Sequence, residues 1–185
     1  MSDKFFTDYF KFIQAGMESI NHEDLIKASE KIQAVSKAGH KLIIAGNGGS
    51  AAMASHVAVD FTKAAGIRAI NFNEADLLTC FSNDYGYERV FEKAVDFYGD
   101  AGDLLILISS SGSSQNVVNA AKRAKELNMG VITFSGFKNN NPLCHLGDIN
   151  FWVDSKAYNI IEMTHHIWLL AIVDYIIGDI EYSAS

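Results

Sequence analysis

Two loops rich in glycine and serine, and two helix-spaced sets of histidine with carboxylate, carry most of the chemistry this sequence can do. Ala45-Gly46-Asn47-Gly48-Gly49-Ser50 closes a short apolar run and leads straight into a helical pattern. Glycines let backbone approach a ligand closely, and a helix that starts there offers free N–H groups with partial positive charge. That combination binds anions. Ser50 is equally well placed to cap the helix. The letters fit Gly-x-Gly-x-x-Ala, a weak dinucleotide signature, but Glu74 and Asp76 come late for its acidic partner, so no nucleotide cofactor is expected. Ile108-Ser109-Ser110-Ser111-Gly112-Ser113-Ser114 sits at a second junction of the same kind. Hydroxyls around one glycine at a helix start can surround a phosphate with neutral donors. A plain serine-rich loop would carry the same letters.

His56 and Asp60, four apart, share one face of the helix that follows the glycine loop. Such a pair can chelate a divalent metal or simply hydrogen-bond. Glu162-Met163-Thr164-His165-His166 offers a second set, Glu162 with His165 at i+3 or with His166 at i+4. His22, His40 and His145 have no partner at ligand spacing and read as surface or capping residues.

The elements that must position these groups follow from hydrophobic periodicity. Strands are expected at Lys41–Ala45, Arg68–Phe72, Leu104–Ser109, Gly130–Ser135 and Asn150–Val153. Helical patterns lie at about Ser50–Ala64, Glu74–Phe81, Glu88–Tyr98, Ser114–Leu127 and Tyr158–Ile177. Strands alternating with helices imply an α/β fold, a parallel sheet covered on both faces. In a doubly wound five-stranded sheet of order 2-1-3-4-5, ligands sit where the order reverses, between strands 1 and 3. Both loops would then border one crevice. Ahead of the sheet, Phe5, Phe6, Tyr9, Phe10, Phe12, Ile13 and Met17 recur at helical spacing, and Leu25–Ala38 follows as a second helix. With no obvious sheet of its own to cover, this helical pair, residues 1–38, is expected to form a surface shared between subunits.

The chain has 185 residues, a formal charge of −7, 49% hydrophobic and 20% charged residues, which suits one globular domain over 1–185 and excludes disorder. The acidic balance argues against nucleic acid as a partner. Cys80 and Cys144 are too few for a disulfide framework. No basic start precedes an apolar leader, and the most apolar late stretch, Ile167–Gly178, is short and contains Asp174. A cytoplasmic protein without membrane association is expected.

Taken together, Asn47-Gly48-Gly49-Ser50, His56, Ser82-Asn83-Asp84-Tyr85-Gly86 and Ile108 through Ser114 resemble the sugar-isomerase (SIS) domain, most closely its phosphoheptose isomerases. The resemblance covers nearly the whole chain. It implies an isomerase that interconverts a ketose and an aldose phosphate through an enediolate, in heptose or surface-polysaccharide synthesis. It also implies a homotetramer with active sites at subunit interfaces. By the same likeness Ser109, Ser111 and Ser114 would hold phosphate, with Ser110 and Ser50 near by. Asn47, Gly48, Gly49, Asn83 and Asp84 would face the sugar. Asp60 or Glu162 would move the carbon-bound proton, and His165 or His166 would serve the carbonyl oxygen. A divalent metal such as zinc would draw on His56, Asp60, Glu162 and His166. Two departures stand out: Asp60 is one methylene shorter than the glutamate usual there, and Leu170 replaces a family histidine. A related isomerase for another sugar phosphate, or a non-catalytic sugar-phosphate or protein binder, remain the competing readings.

Overall fold

The computed structural model describes residues 2–182. Five strands, β1 (Leu42–Gly46), β2 (Ala69–Asn71), β3 (Leu104–Ser109), β4 (Gly130–Ser135) and β5 (Ile149–Trp152), form one sheet. Its order is β2-β1-β3-β4-β5 and every pairing is parallel, as the alternating pattern predicts. The helices are α1 (Ser2–Glu18), α2 (His22–Lys37), α3 (Gly49–Lys63), α4 (Ala75–Tyr85), α5 (Val90–Tyr98), α6 (Gln115–Glu126) and α7 (Tyr158–Ile177). β1 and β3 are buried along their whole length, so both faces must be apolar and the two-residue side-chain period sorts them. Leu42 and Ile44 join Leu104, Ile106 and Ile108 on the face covered by α2, α3 and α7. Ile43 and Ala45 join Leu105 and Leu107 on the face covered by α5 and α6.

Several elements differ from expectation, each for a local reason. α2 does cover the sheet, burying Ala28 and Ile32 in the core. It starts at His22 because Asn21 caps it, accepting from the Glu23 N–H at 3.0 Å. α1 rests on α7, where Trp168 donates its indole N–H to the Met17 carbonyl at 3.0 Å. It leaves Phe5, Phe6, Phe10 and Phe12 each more than half exposed. α4 runs to Tyr85, so Asn83 and Asp84 lie in its last turn. A 3-10 turn at Tyr87–Arg89 delays the start of α5 to Val90. α7 keeps the expected bounds, and over its 20 residues it is long and apolar enough by composition to cross a bilayer, which the 167–178 stretch alone is not. Its apolar character serves the core, where Ile161, Trp168, Leu169, Ile172 and Val173 pack beneath the sheet.

Candidate active site

Parallel pairing sets Gly46 of β1 beside Ile108 of β3, so the glycine loop and the serine loop leave the sheet side by side. The approach is close enough that a Cβ on Gly46 would lie 2.7 Å from the Ile108 carbonyl oxygen. Gly48, with φ +56°, turns the chain into α3 and occupies the N-cap position, so Ser50 stands inside the helix rather than capping it. Ser114 is the N-cap residue of α6, yet its hydroxyl makes no cap bond and instead lies 3.5 Å from the Ser109 hydroxyl. The N-termini of α3 and α6 therefore start side by side, with the Ser109 and Ser114 hydroxyls turned toward one another within the serine loop.

Between them is a cavity of about 110 Å3 walled by Asn47 and Ser50, by Ser109, Ser110, Ser111 and Ser114, and by Tyr158 and Glu162 of α7. Ser110 is only 5% exposed and its hydroxyl has no partner among the described residues. Glu162 is the one carboxylate in this wall. It lies directly over Gly49, where a Cβ would come within 2.3 Å of its Oε2. A larger cavity of about 610 Å3 at the β2 edge, among Phe72, Leu77, Phe81 and Tyr98, contains none of the expected residues. Its apolar wall suits a phosphosugar poorly, and the smaller, polar cavity is the candidate site.

The serine loop is braced from behind by Asn141, which sequence reasoning missed. Its amide donates to the Ser135 hydroxyl at 3.1 Å and to the Lys138 carbonyl at 2.8 Å, and its Oδ1 accepts from the Cys144 N–H at 3.0 Å. Gly112, at φ +60°, packs on that side chain so tightly that a Cβ would fall 1.9 Å from Asn141 Oδ1. The Asn-Pro step at 141–142 marked a turn but could not show what the turn supports.

His165 belongs to this brace and not to the cavity. It is fully buried, and its Nε2 meets the Ser135 carbonyl at 3.0 Å. A carbonyl only accepts, so Nε2 carries a proton, and burial with no partner for Nδ1 among the described residues keeps the ring neutral. Burial lowers its pKa to about 4, against a smaller upward pull from that hydrogen bond. Of the two histidines expected to serve a substrate oxygen, His165 is therefore the one that does not line the cavity. His166, one residue on, faces α3, its ring 4.9 Å from His56 edge to face. His56 Nε2 lies 3.3 Å from Asp60 Oδ2. Burial first, then His56, lowers the His166 pKa, with Asp60 opposing, and its Nε2 has no partner among the described residues. Further along, burial and then the Asp60 charge push the Asp174 carboxyl up.

Two expected groupings are not brought together within the chain. Asn83 and Asp84 lie exposed on α4, the Asn83 amide donating to Asp84 at 2.8 Å, and neither lines the serine cavity. Among the described residues no three His, Cys, Asp or Glu side chains form a group able to hold a metal. Glu162 is turned onto Gly49, so His56, Asp60, Glu162 and His166 are not gathered into one ligand group within the described residues.

Two outcomes follow from this geometry. Gly112→Ala should lower the thermal midpoint and abolish protection by phosphate compounds, because it adds left-handed backbone strain to a collision with Asn141. Gly39→Ala, at φ +83° with open space around it, is the control for strain alone. Equal losses in the two variants would contradict the brace. His165 has a folded pKa below its unfolded value, so the unfolded chain binds more protons between about pH 6.5 and 4. Its contribution, on the order of 3 kcal/mol, is complete above that window and is lost as pH falls through it. Urea midpoints measured across the window should drop for the native chain and much less for His165→Gln.

Comparison with known proteins agrees with the fold. Residues 6–136 match the SIS domain family. A phosphoheptose isomerase of Aliarcobacter butzleri is 40% identical over 77% of this chain and 78% of its own length. One from Fusobacterium nucleatum is 32% identical over 89% and 85%. The solved phosphoheptose isomerase of Neisseria gonorrhoeae superposes with a TM-score of 0.86 at 32% identity, covering 94% of this chain and 97% of that one. The enzyme from Francisella tularensis gives 0.87 at 26% identity, over 96% and 98%. The chain belongs to the SIS domain family, among its phosphoheptose isomerases.

Proposed function

We propose that this protein is a sugar-phosphate isomerase that interconverts sedoheptulose 7-phosphate and its aldose partner through an enediolate, in the cytoplasm and in the service of heptose supply for surface polysaccharide. One observation carries the reading. A hydroxyl-lined cavity between two helix N-termini shares its α3 and α7 walls with an unpartnered imidazole nitrogen beside a His–Asp pair. The named activity of the relatives supplies the substrate class.

Ser109, Ser111 and Ser114, with the N–H groups opening α6, take the phosphate; Ser110 and Ser50 add hydroxyls at its margin. Asn47, Gly48 and Gly49 take the sugar chain beyond it. In a heptulose 7-phosphate the reacting carbons, C1 and C2, lie at the end remote from the phosphate. Glu162 shares the phosphate cavity and so stands at the wrong end for the carbon proton. His56 comes seven residues after Gly49, about 10 Å along α3, and His166 comes one turn after Glu162 on α7. Asp60 then removes the proton from C1 of the ketose and returns it to C2. His166, neutral near pH 7 because its pKa is lowered, passes a proton to the C2 carbonyl oxygen and takes one from the C1 hydroxyl. His56 orients Asp60 through their contact.

General acid–base groups contribute about 100-fold to 10,000-fold, so Asp60→Asn and His166→Gln should each reduce kcat by at least about 100-fold with KM little changed. Glu162→Gln should leave kcat within a few-fold and lower KM, since it removes a negative charge beside the phosphate. A large kcat loss in Glu162→Gln with an active Asp60→Asn would move the carbon proton to Glu162. If the purified chain yields no aldose from sedoheptulose 7-phosphate at any enzyme concentration, the substrate assignment falls.

The same reading takes the chain as a single domain assembled into a homotetramer with active sites at subunit interfaces. The four exposed phenylalanines of α1 support residues 1–38 as the contact. Light scattering of a Phe6→Ser, Phe10→Ser double variant should show a smaller particle with unchanged helix content; an unchanged mass would remove α1 from the contact.

A further inference from the structure

Asn47 is held by a hydrogen-bond network that leaves its amide one orientation. Asn116, in the first turn of α6 and 3% exposed, accepts the Val117 N–H on its Oδ1 at 3.0 Å. A backbone N–H only donates, so that bond fixes which end of the Asn116 amide is oxygen. The same Oδ1 accepts from Asn47 Nδ2 at 3.0 Å, and Asn116 Nδ2 donates back to Asn47 Oδ1 at 2.9 Å. Tyr87, in the 3-10 turn before α5, donates its hydroxyl to the same Asn47 Oδ1 at 2.8 Å. That turn is itself tied to α6, where Asn119 donates to the Glu88 carbonyl at 2.9 Å.

The consequence follows from counting lone pairs and protons. Both lone pairs of Asn47 Oδ1 are engaged, by Asn116 and by Tyr87, and one Nδ2 proton is engaged by Asn116. What Asn47 has left is a single N–H. Because Asn47 also lines the serine cavity, that N–H is the only polar capacity its side chain can offer a ligand there. The network also crosses from the glycine loop to the helix that opens at the serine loop, 69 positions further along the chain. It therefore holds the two loops at a fixed separation as well as fixing the amide.

We propose that Asn116 and Tyr87 are positioning residues that lock Asn47 as an obligate hydrogen-bond donor to the sugar phosphate anchored on the serine loop. The proposal deepens the isomerase reading and rests on it for the identity of the ligand. Neither residue touches the ligand in this account; each acts through Asn47. Tyr87 is exposed, so removing its hydroxyl leaves the core intact.

The test is a pair of double-mutant cycles in the full chain, Tyr87→Phe with Asn47→Ala and Asn116→Ala with Asn47→Ala. Two quantities are read: the calorimetric Kd for sedoheptulose 7-phosphate, and kcat/KM for its isomerisation. With Asn47 present, Tyr87→Phe should weaken binding about threefold to tenfold and Asn116→Ala about tenfold, the scale of one neutral hydrogen bond. In the Asn47→Ala background each change should alter the Kd less than twofold. Equal losses in both backgrounds would show a merely structural role, and no loss in the Asn47 background would show no role; either overturns the proposal. Binding without turnover by the unmutated chain would overturn the isomerase reading alone, because the Kd cycles still decide the clamp. Absence of any binding by the unmutated chain would overturn both.

Discussion

The parallel pairing of β1 with β3 is the constraint on which the functional half of this molecule depends. It brings the carboxyl ends of two neighbouring strands to one level, and each strand then feeds a helix that starts there. Backbone N–H groups at two helix starts thus converge without any basic side chain in the cavity wall. Serine hydroxyls and the Asn47 amide complete a donor wall that suits an anion in a chain of net charge −7. A parallel pair needs helices on both faces to bury it, so the apolar sheet that stabilises the fold also fixes the geometry of the cavity.

The serine loop is set by contacts that come from the far side of the sheet. His165 grips the Ser135 carbonyl, Asn141 grips the Ser135 hydroxyl, and Gly112 lies against Asn141. This chain of contacts runs from the most buried face of α7 to the loop itself. A charged His165 would lose its environment at one end of it, which is why its neutrality matters to the loop and not to proton transfer. The glycine loop has a matching support in Asn116, so each phosphate-side loop is steadied by an asparagine from outside its own segment. A rigid donor wall needs no rearrangement when charge arrives.

The parts legible in the sequence were those whose signal is local. Short apolar runs, glycines at strand ends and hydroxyl-rich helix starts gave the sheet order and both loops, because each reflects a backbone requirement within a few residues. Asn116, Tyr87 and Asn141 were not legible, since their roles come from Asn47, Asn47 and Gly112, which lie 69, 40 and 29 positions away and are brought near only by the folded chain. The choice between His165 and His166 stayed open for another reason. Successive helical residues point about 100° apart, so only one of the two can face α3. α7 is apolar on most of its circumference, and its hydrophobic pattern marks no single buried face. Packing of Trp168 and Phe134 around the ring of His165 decides which of the two is buried.

That decision bears on the largest departure from the family pattern. Glu162, His166, Leu170 and Asp174 repeat every four residues along one strip of α7. Leu170, where the family has a histidine, is half-buried and packs against the core, so no proton-transfer group stands on the strip between His166 and Asp174. On the proposed isomerase reading, the histidine that works beside Asp60 is His166, one turn nearer the phosphate than the family position. Asp60 is also shorter than the family glutamate, and the His56 contact holds it on the His166 side of α3. Loss of the distal histidine and shortening of the carboxylate act in the same direction. On the proposed reading both confine the acid–base groups to the turn that His56 and His166 share, and the reacting carbons of a bound sugar would come to that turn.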